Sequence, residues 1–171
     1  MHFITFAVVE WIDVFSRPIY QDIFIDSIRY CQQHRGLLLH AWCLMSNHTH
    51  LLATAKNKDM SDILRDFKKF TSNTIVKAVG DNVQESRRGW MLPVFKKAGL
   101  ENSRNENHQF WRQDNHPIEC FSNAFTTQKL NYIHNNPVKA GLVRLPEEYR
   151  LSSAKDYKIR KNCGLLEVDF I

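Results

Sequence analysis

The order of hydrophobic and polar positions predicts alternating strands and helices through the first half of the chain. Residues 3–11 are rich in β-branched and aromatic side chains, which is typical of a strand. Pro18 suits the first turn of a helix, and Gly36 stands where a helix commonly ends. The apolar positions between them recur at helical spacing, at Tyr20, Phe24, Ile28 and Cys31.

Two further strands are predicted directly after Gly36. Residues 37–45 are apolar almost throughout, so we expect both faces of this strand to be covered. Ser46 and Asn47 form a short polar interruption, and residues 48–54 resume the strand pattern. Because the connection is so short, the two strands are expected to pair as an antiparallel hairpin.

The clearest helical pattern follows this hairpin. One apolar stripe recurs at helical spacing, with Lys68 and Lys69 beside it and Gly80 beyond its predicted end. The stripe consists of Met60, Ile63, Leu64, Phe67, Phe70, Thr71, Thr74 and Ile75.

The pattern after Gly80 is less regular. We predict short strands at about 91–95 and 109–113, joined by a polar loop. A last helix is predicted from Ser122 to Asn136, since Pro137 disfavours helical geometry at the residue before it.

This order of elements predicts an α+β fold, with a ferredoxin-like antiparallel sheet and helices packed on one face. Residues 1–145 are expected to form one domain, because 171 residues are too few for two domains of ordinary size. Residues 146–171 are expected to form a C-terminal appendage packed on that domain.

Composition adds little to this picture. The 23 Lys and Arg residues against 18 Asp and Glu give a net charge of +5, which favours a polyanionic partner but also fits an ordinary basic surface. No apolar run reaches the roughly 20 residues that a membrane span needs, so no membrane partner is expected. Widely separated cysteines disfavour a disulfide scaffold or a zinc site and favour a cytoplasmic location. They are Cys31, Cys43, Cys120 and Cys163.

His48 and His50 are the first candidates for chemistry. Residues two apart in a strand point to the same face, so the two imidazoles are expected to be neighbours. Neutral neighbouring imidazoles can chelate a divalent metal ion. The alternative is a polar pair on a solvated sheet face.

Tyr132 and Asn136 are the second pair of candidates. They are four residues apart, so they lie on one face of the last helix, away from its apolar stripe through Leu130 and Ile133. A partly exposed phenol and an amide oxygen one turn away are therefore expected. The alternative is a surface tyrosine and an asparagine that ends the helix before Pro137.

Three motifs in this order resemble the REP-associated tyrosine transposases, which belong to the single-tyrosine branch of the HUH endonucleases. They are the His-x-His after an apolar strand, the run Tyr-Ile-His-Asn-Asn-Pro-Val-Lys-Ala-Gly-Leu-Val at 132–143, and Leu-Ser-Ser-Ala-Lys-Asp-Tyr at 151–157. The similarity extends over most of the chain.

The resemblance implies metal-dependent cleavage and strand transfer of single-stranded DNA through a covalent phosphotyrosine. Tyr132 corresponds to the nucleophile, and His48, His50 and Asn136 to the ligands of Mg²⁺ or Mn²⁺. Two departures are visible: Thr49 replaces a bulky hydrophobe, and many insertion-sequence relatives have glutamine at the position of Asn136.

The implied partner is single-stranded DNA with hairpin or repeat structure, bound by a monomer or a homodimer. Basic residues are the candidates for phosphate contacts, and Trp90, Phe95 or Trp111 for base stacking. The basic residues are Lys68, Lys69, Arg87, Arg88, Lys96 and Lys97.

The protein is thus expected to be a transposase or a domesticated relative. The alternatives are a catalytically silent hairpin-DNA-binding protein and a replication-initiation or relaxase-type nuclease with the same site.

Overall fold

The fold is built on one antiparallel sheet with helices on both faces. A computed structural model describes residues 1–56, 59–103, 107–113 and 117–171. The strands are β1 (His2–Ala7), β2 (Leu37–Leu44), β3 (His48–Ala55) and β4 (Ile118–Glu119). The helices are α1 (Pro18–Arg35), α2 (Met60–Asp81), α3 (Arg88–Leu100), α4 (Asn123–Lys139) and α5 (Ala154–Ile159). In the described part of the chain, no helix combines the length and apolarity needed to cross a bilayer.

The sheet has the strand order β2-β3-β1-β4, and every neighbouring pair is antiparallel. The predicted hairpin of β2 and β3 is confirmed, and this order is that of a ferredoxin-like sheet. The predicted α+β fold is therefore confirmed, but the expectation that the helices pack on one face is wrong, because α4 packs on the face opposite α1 and α2. Within the central pair, Thr5 of β1 lies opposite His50 of β3, and Ala7 lies opposite His48.

The two faces of the sheet carry different helices. Ile4 and Phe6 of β1 join the main core with α1 and α2, where the ring of Phe6 stacks on that of Phe67. Phe3 and Leu52 point the other way and pack with Ile133 of α4. Helix α4 therefore forms its own layer, on the face opposite α1 and α2.

The C-terminal segment after α4 lies along the outer edge of β2. The backbone N–H of Leu44 donates to the carbonyl of Leu151, and that of Ser153 to the carbonyl of Trp42. Farther along, the N–H of Asp169 donates to the carbonyl of Leu39. Residues near both ends of β2 are thus hydrogen-bonded on their outer side.

The predicted strands at 91–95 and 109–113 are wrong. Residues 91–95 lie within α3, where Met91, Phe95 and Gly99 are buried at four-residue spacing. A short apolar run fits a buried strand or a buried helix equally well, and Pro93 sits on the exposed side of α3. Residues 109–113 form only an isolated bridge between Trp111 and Val8.

Helix α4 continues past Pro137 to Lys139, so the predicted end at Asn136 is wrong. Pro137 lies in the last turn, where it removes a single helical hydrogen bond. The helix is closed instead by Gly141, whose φ of 71° suits a residue without Cβ. The N–H of Leu142 then donates to the carbonyl of Pro137, and that of Gly141 to Val138, as in a glycine-terminated helix.

Three smaller expectations also change. Strand β1 ends at Ala7, because the chain turns away in a short 3₁₀ segment at Val9–Trp11. Helix α2 includes Gly80 and ends at Asp81. The side chain of Phe70, which the helical spacing predicts to lie in the apolar stripe, is exposed.

A buried carboxylate ties α1 to the segment before α3. The backbone N–H and the Nε of Arg87 donate to Oε1 of Glu85, at 3.1 and 2.8 Å, and Tyr20 donates to Oε2 at 3.2 Å. Arg87 also donates to the carboxylate of Asp13 at 3.2 Å. Hydrogen bonds from Arg87 lower the pKa of Glu85 from 4.5 to about 2, so this carboxyl is charged whenever the protein is folded near neutral pH.

We expect Glu85→Gln to lower the free energy of unfolding by about 3 kcal/mol at neutral pH, because it leaves the half-buried Arg87 without its main counter-charge. The folded protein binds the Glu85 proton less tightly than the unfolded chain does. The stabilisation is therefore complete above about pH 4.5 and is lost as the pH falls toward 2. Urea unfolding should show the deficit of the variant shrinking as the pH is lowered from about 7 to 3.

Glu101→Gln is the matched control, since Glu101 forms an exposed pair with Lys97 at 3.8 Å. This change should cost no more than about 0.5 kcal/mol. Equal losses in both variants would contradict the structural role of Glu85.

Candidate active site

Two histidines of β3 form the floor of the site. Successive side chains of β3 point to opposite faces of the sheet, and pairing with β1 and β2 sets which face each one takes. His48, His50 and Leu52 point to the face that carries α4. The ring centroids of His48 and His50 are 4.9 Å apart. His50 is buried and His48 is half-buried. The structure thus places the two imidazoles next to each other, as their spacing predicts.

Each imidazole is oriented by a hydrogen bond at Nδ1. Thr5, directly across from His50 in the sheet, has its Oγ1 2.8 Å from Nδ1 of His50. Nδ1 of His48 lies 2.7 Å from Oδ1 of Asn47, whose amide nitrogen donates to the carbonyl of Trp11 at 3.1 Å. Such partners fix ring orientation in metal and catalytic sites. Sequence reasoning assigned no role to Thr5 or Asn47.

Tyr132 reaches the histidines from α4. Its ring centroid lies 5.1 Å from that of His50 and 5.8 Å from that of Phe3. The adjacent residues Ile133 and His134 are buried and hold the helix on the sheet, whereas Tyr132 is 39% exposed. The phenol is therefore beside the histidines and open to solvent.

Asn136 lies one turn beyond Tyr132, and its side chain interacts with His48 in the direction that raises the pKa of that imidazole. It is not the residue that ends the helix, because α4 continues to Lys139 and is capped at Ala140. The structure therefore favours a role for Asn136 at the histidines over the alternative that it terminates the helix.

Burial keeps both histidines neutral. The pKa of His50 falls from 6.5 to about 3, chiefly through burial, with electrostatic contributions from His48 and Lys129 in the same direction. Burial also lowers the pKa of His48, partly opposed by the interaction with the Asn136 side chain. Two neutral imidazoles keep their lone pairs available at physiological pH.

The side chains of this site fit a divalent cation. Nε2 of His50 is buried and, within the described residues, has no hydrogen-bond partner. Nδ1 of His50 is already engaged with Thr5, so Nε2 is the nitrogen of this ring that is left to bind a ligand. Across the described ranges, no group of three His, Cys, Asp or Glu residues could hold a metal ion. Asn136, whose side chain interacts with His48, carries a neutral amide oxygen at this site.

Two lysines place positive charge around the phenol. Nζ of Lys129 is 4.6 Å from the ring centroid of Phe3 and 5.9 Å from that of Tyr132. Nζ of Lys139 is 5.6 Å from the Tyr132 ring. Sequence reasoning missed both, although their positions three residues before and seven after Tyr132 place them on its helical face.

Trp11 forms a further wall beside His48. Its ring is 51% exposed and meets the His48 ring edge to face at 5.8 Å. Glu10 and Trp11 have φ values of 51° and 54°, which non-glycine residues rarely adopt. Cζ of Arg112 lies 5.3 Å from the centroid of the indole ring. No local sequence signal predicts this turn, because neither residue is a typical turn former.

The predicted basic residues lie on α2, on α3 and on the segment that joins these two helices. Helix α2 packs on the face of the sheet opposite α4, so these residues lie away from Tyr132. Lys69 and Lys96 are exposed, and Lys97 pairs with Glu101. Lys68 is half-buried, with Nζ 3.3 Å from the carbonyl of Arg112.

The two predicted arginines have partners within the protein. Arg87 is bound to Glu85 and Asp13, and Arg88 donates to the carbonyl of Gly80. We therefore leave Arg87 out of any DNA-contacting surface.

Two of the three predicted stacking residues are buried. Phe95 and Trp111 belong to the main core, so the suggestion that they stack on bases is wrong. Trp111 also donates through Nε1 to Thr71 at 2.9 Å. Trp90 remains half-exposed on α3.

The chain matches known transposases in sequence and in fold. The family model described as "Transposase IS200 like" matches residues 2–92, which include His48 and His50 and end before Tyr132. A solved structure of a REP-associated tyrosine transposase bound to a REP hairpin superposes with a TM-score of 0.67 at 19% identity. The alignment covers 99% of this chain and 84% of that one, and no curated protein matches. The resemblance found in the sequence motifs is confirmed, and the chain belongs to the IS200-like transposase family.

Proposed function

We propose that the protein cleaves and rejoins single-stranded DNA through a covalent phosphotyrosine formed on Tyr132. The observation that carries this proposal is the contact of the Tyr132 ring with His50, at 5.1 Å, above two oriented and neutral imidazoles. Membership of a transposase family supports the same reaction class. The structural neighbour binds a REP hairpin, which supports a hairpin-bearing DNA as the substrate here.

The covalent step exchanges one phosphodiester for another. The phenolic oxygen of Tyr132 attacks the phosphorus and loses its proton to solvent as the bond forms. The bond from phosphorus to the 3′ oxygen breaks, and that oxygen takes up a proton and leaves as a hydroxyl. A hydroxyl of another strand reverses the step, so joining needs no added energy source.

Lys129 and Lys139 assist by electrostatics. Their ammonium groups lie on the face of α4 that carries Tyr132, each within 6 Å of its ring centroid. Negative charge develops on the phenolic oxygen and on the phosphate oxygens during attack. Cations held in place beforehand stabilise that charge.

His48, His50 and Asn136 are the residues that would hold Mg²⁺ or Mn²⁺. When bound there, the cation supplies positive charge that polarises the phosphodiester. Because all three side chains are neutral, they would leave the charge of the ion uncompensated and directed at the DNA. Thr5 and Asn47 contribute by holding the two rings in position.

Lys69 and Lys96, which are exposed, remain proposed phosphate contacts for the DNA. A catalytically silent hairpin-binding protein would need neither an open phenol nor an unpaired imidazole nitrogen. Both features are present, so we favour the enzyme.

Tyr132→Phe should abolish the covalent adduct with hairpin-bearing single-stranded DNA and leave DNA affinity within about twofold, because only the nucleophilic oxygen is lost. Denaturing gels with end-labelled DNA measure the adduct, and fluorescence anisotropy measures binding. Tyr30→Phe is the matched control, since Tyr30 is an exposed tyrosine on α1. An adduct that persists in Tyr132→Phe would show that another residue is the nucleophile.

His50→Ala should remove metal-stimulated cleavage, whereas Asn136→Ala should raise the Mn²⁺ concentration for half-maximal cleavage by about tenfold and keep part of the maximal rate. One imidazole chelates poorly, but two imidazoles without the amide still chelate. Isothermal titration with Mn²⁺ in the absence of DNA checks affinity directly. An unchanged Mn²⁺ midpoint in Asn136→Ala would restrict the ligand set to the histidines.

His50 should remain neutral down to about pH 3 in the metal-free protein, since burial opposes its protonation. Imidazole resonances followed by NMR between about pH 4 and 8 should therefore show no titration of His50. The unfolded chain binds this proton near pH 6.5, so acid weakens folding through this residue. A midpoint for His50 near 6 would show that its ring is solvated in solution.

A further inference from the structure

We propose that Phe121 and Phe125 form a stacking platform for an unpaired nucleobase of the DNA strand that Tyr132 attacks. This inference rests on the proposed function and names a binding subsite for its substrate. The platform lies at the start of α4, on the same side of the molecule as the nucleophile.

The two rings form a stacked aromatic pair, in which Phe121 is exposed and Phe125 is half-buried. Their centroids are 5.4 Å apart and their planes differ by 11°, so they are stacked face to face with an offset. Phe121 is 83% exposed, the same value as Val83 and above that of any other large hydrophobic side chain in the described part of the chain. A phenyl ring this exposed contributes little to the core. It offers a free surface on which a planar base can stack.

The pair is held in a defined place. Ser122, which lies between the two platform residues in the sequence, caps this helix, with its hydroxyl accepting from the N–H of Phe125 at 3.2 Å. The carbonyl of Ser122 also accepts from the N–H of Thr126. The two phenyl groups therefore belong to a capped helix start, and a base that stacks on them would meet an ordered surface.

The platform is continuous with the active site. Lys129 follows Phe125 by four residues and precedes Tyr132 by three, so the three side chains lie on one face of α4. Nζ of Lys129 lies 5.0 Å from the Phe125 centroid and 5.9 Å from that of Tyr132. Seven residues of helix span about 10 Å, which is the length of about three stacked nucleotides.

The order of aromatic and cationic groups fits single-stranded DNA. A nucleic acid strand alternates planar bases with anionic phosphates, and single-strand binders combine aromatic stacking surfaces with nearby cations. Here Lys129 stands between the phenyl pair and the nucleophile, where a phosphate would lie between a stacked base and the scissile bond. An apolar protein partner would gain nothing from that cation.

The test compares two DNA probes: a hairpin with a single-stranded extension and the same hairpin with blunt ends. Binding is measured by anisotropy in EDTA, so that cleavage does not interfere. Phe121→Ala should weaken affinity for the extended hairpin by about tenfold and leave the blunt hairpin unaffected, as expected for one lost base stack. Phe121→Tyr should retain wild-type affinity, and Phe121→Leu should behave like the alanine variant.

Phe70→Ala is the matched control, because Phe70 is similarly exposed but lies on α2. It should bind both probes like the wild type. A 2-aminopurine placed along the extension should lose fluorescence at one position on binding to the wild type and regain it in Phe121→Ala. The melting temperature of each variant should stay within about 2 °C of the wild type.

The outcomes separate the platform from the proposed reaction. If the wild type forms the tyrosine adduct and Phe121→Ala binds as tightly as the wild type, the platform is wrong and the reaction stands. If no adduct forms but Phe121→Ala still binds the extension more weakly, the reaction is wrong and the platform stands. Full affinity in Phe121→Leu would also overturn the platform. A wild-type protein that does not bind the extended hairpin overturns both.

Discussion

The pairing of β1 with β3 determines the geometry on which the whole site depends. It sets Thr5 opposite His50 and Ala7 opposite His48, and it decides which face of β3 carries the imidazoles. A slip of one residue would turn both rings into the main core and expose buried Thr49 instead. The apolar residues that lock this register, Ile4 and Phe6, therefore serve the site although they lie on the opposite face.

The position of Tyr132 depends on how α4 is fixed to that sheet. Ile133 packs against Phe3 and Leu52, and Nε2 of His134 lies 2.9 Å from the hydroxyl of Ser153. That hydroxyl also accepts from the backbone N–H of Trp42 in β2 at 3.0 Å. Burial lowers the pKa of His134 to about 4, so this link involves a neutral ring across the physiological range. One helix turn thus has a packed side that fixes it and an open side that carries the phenol.

The sequence predicted those features that arise from local periodicity. Spacing placed His48 beside His50 and Tyr132 beside Asn136, and hydrophobic patterns located α1, α2 and the hairpin. Features that depend on distant partners could not be predicted in this way. Nothing near Arg87 reveals that Glu85 and Asp13 bind it, and the short apolar run at 91–95 fits either a strand or a helix. Trp11 reaches His48 through a turn in which Glu10 and Trp11 have positive φ values. Neither residue type is typical of such a turn, so the sequence does not predict it.

The C-terminal segment that lines β2 has a consequence for assembly. An uncovered edge strand offers unpaired backbone groups to any neighbouring chain, and many proteins join their sheets in this manner. Here the chain's own residues 151–153 and 169 occupy the donors and acceptors along that margin. Two copies therefore cannot extend a common sheet through β2, and any pairing of copies on this side must use side-chain surfaces instead.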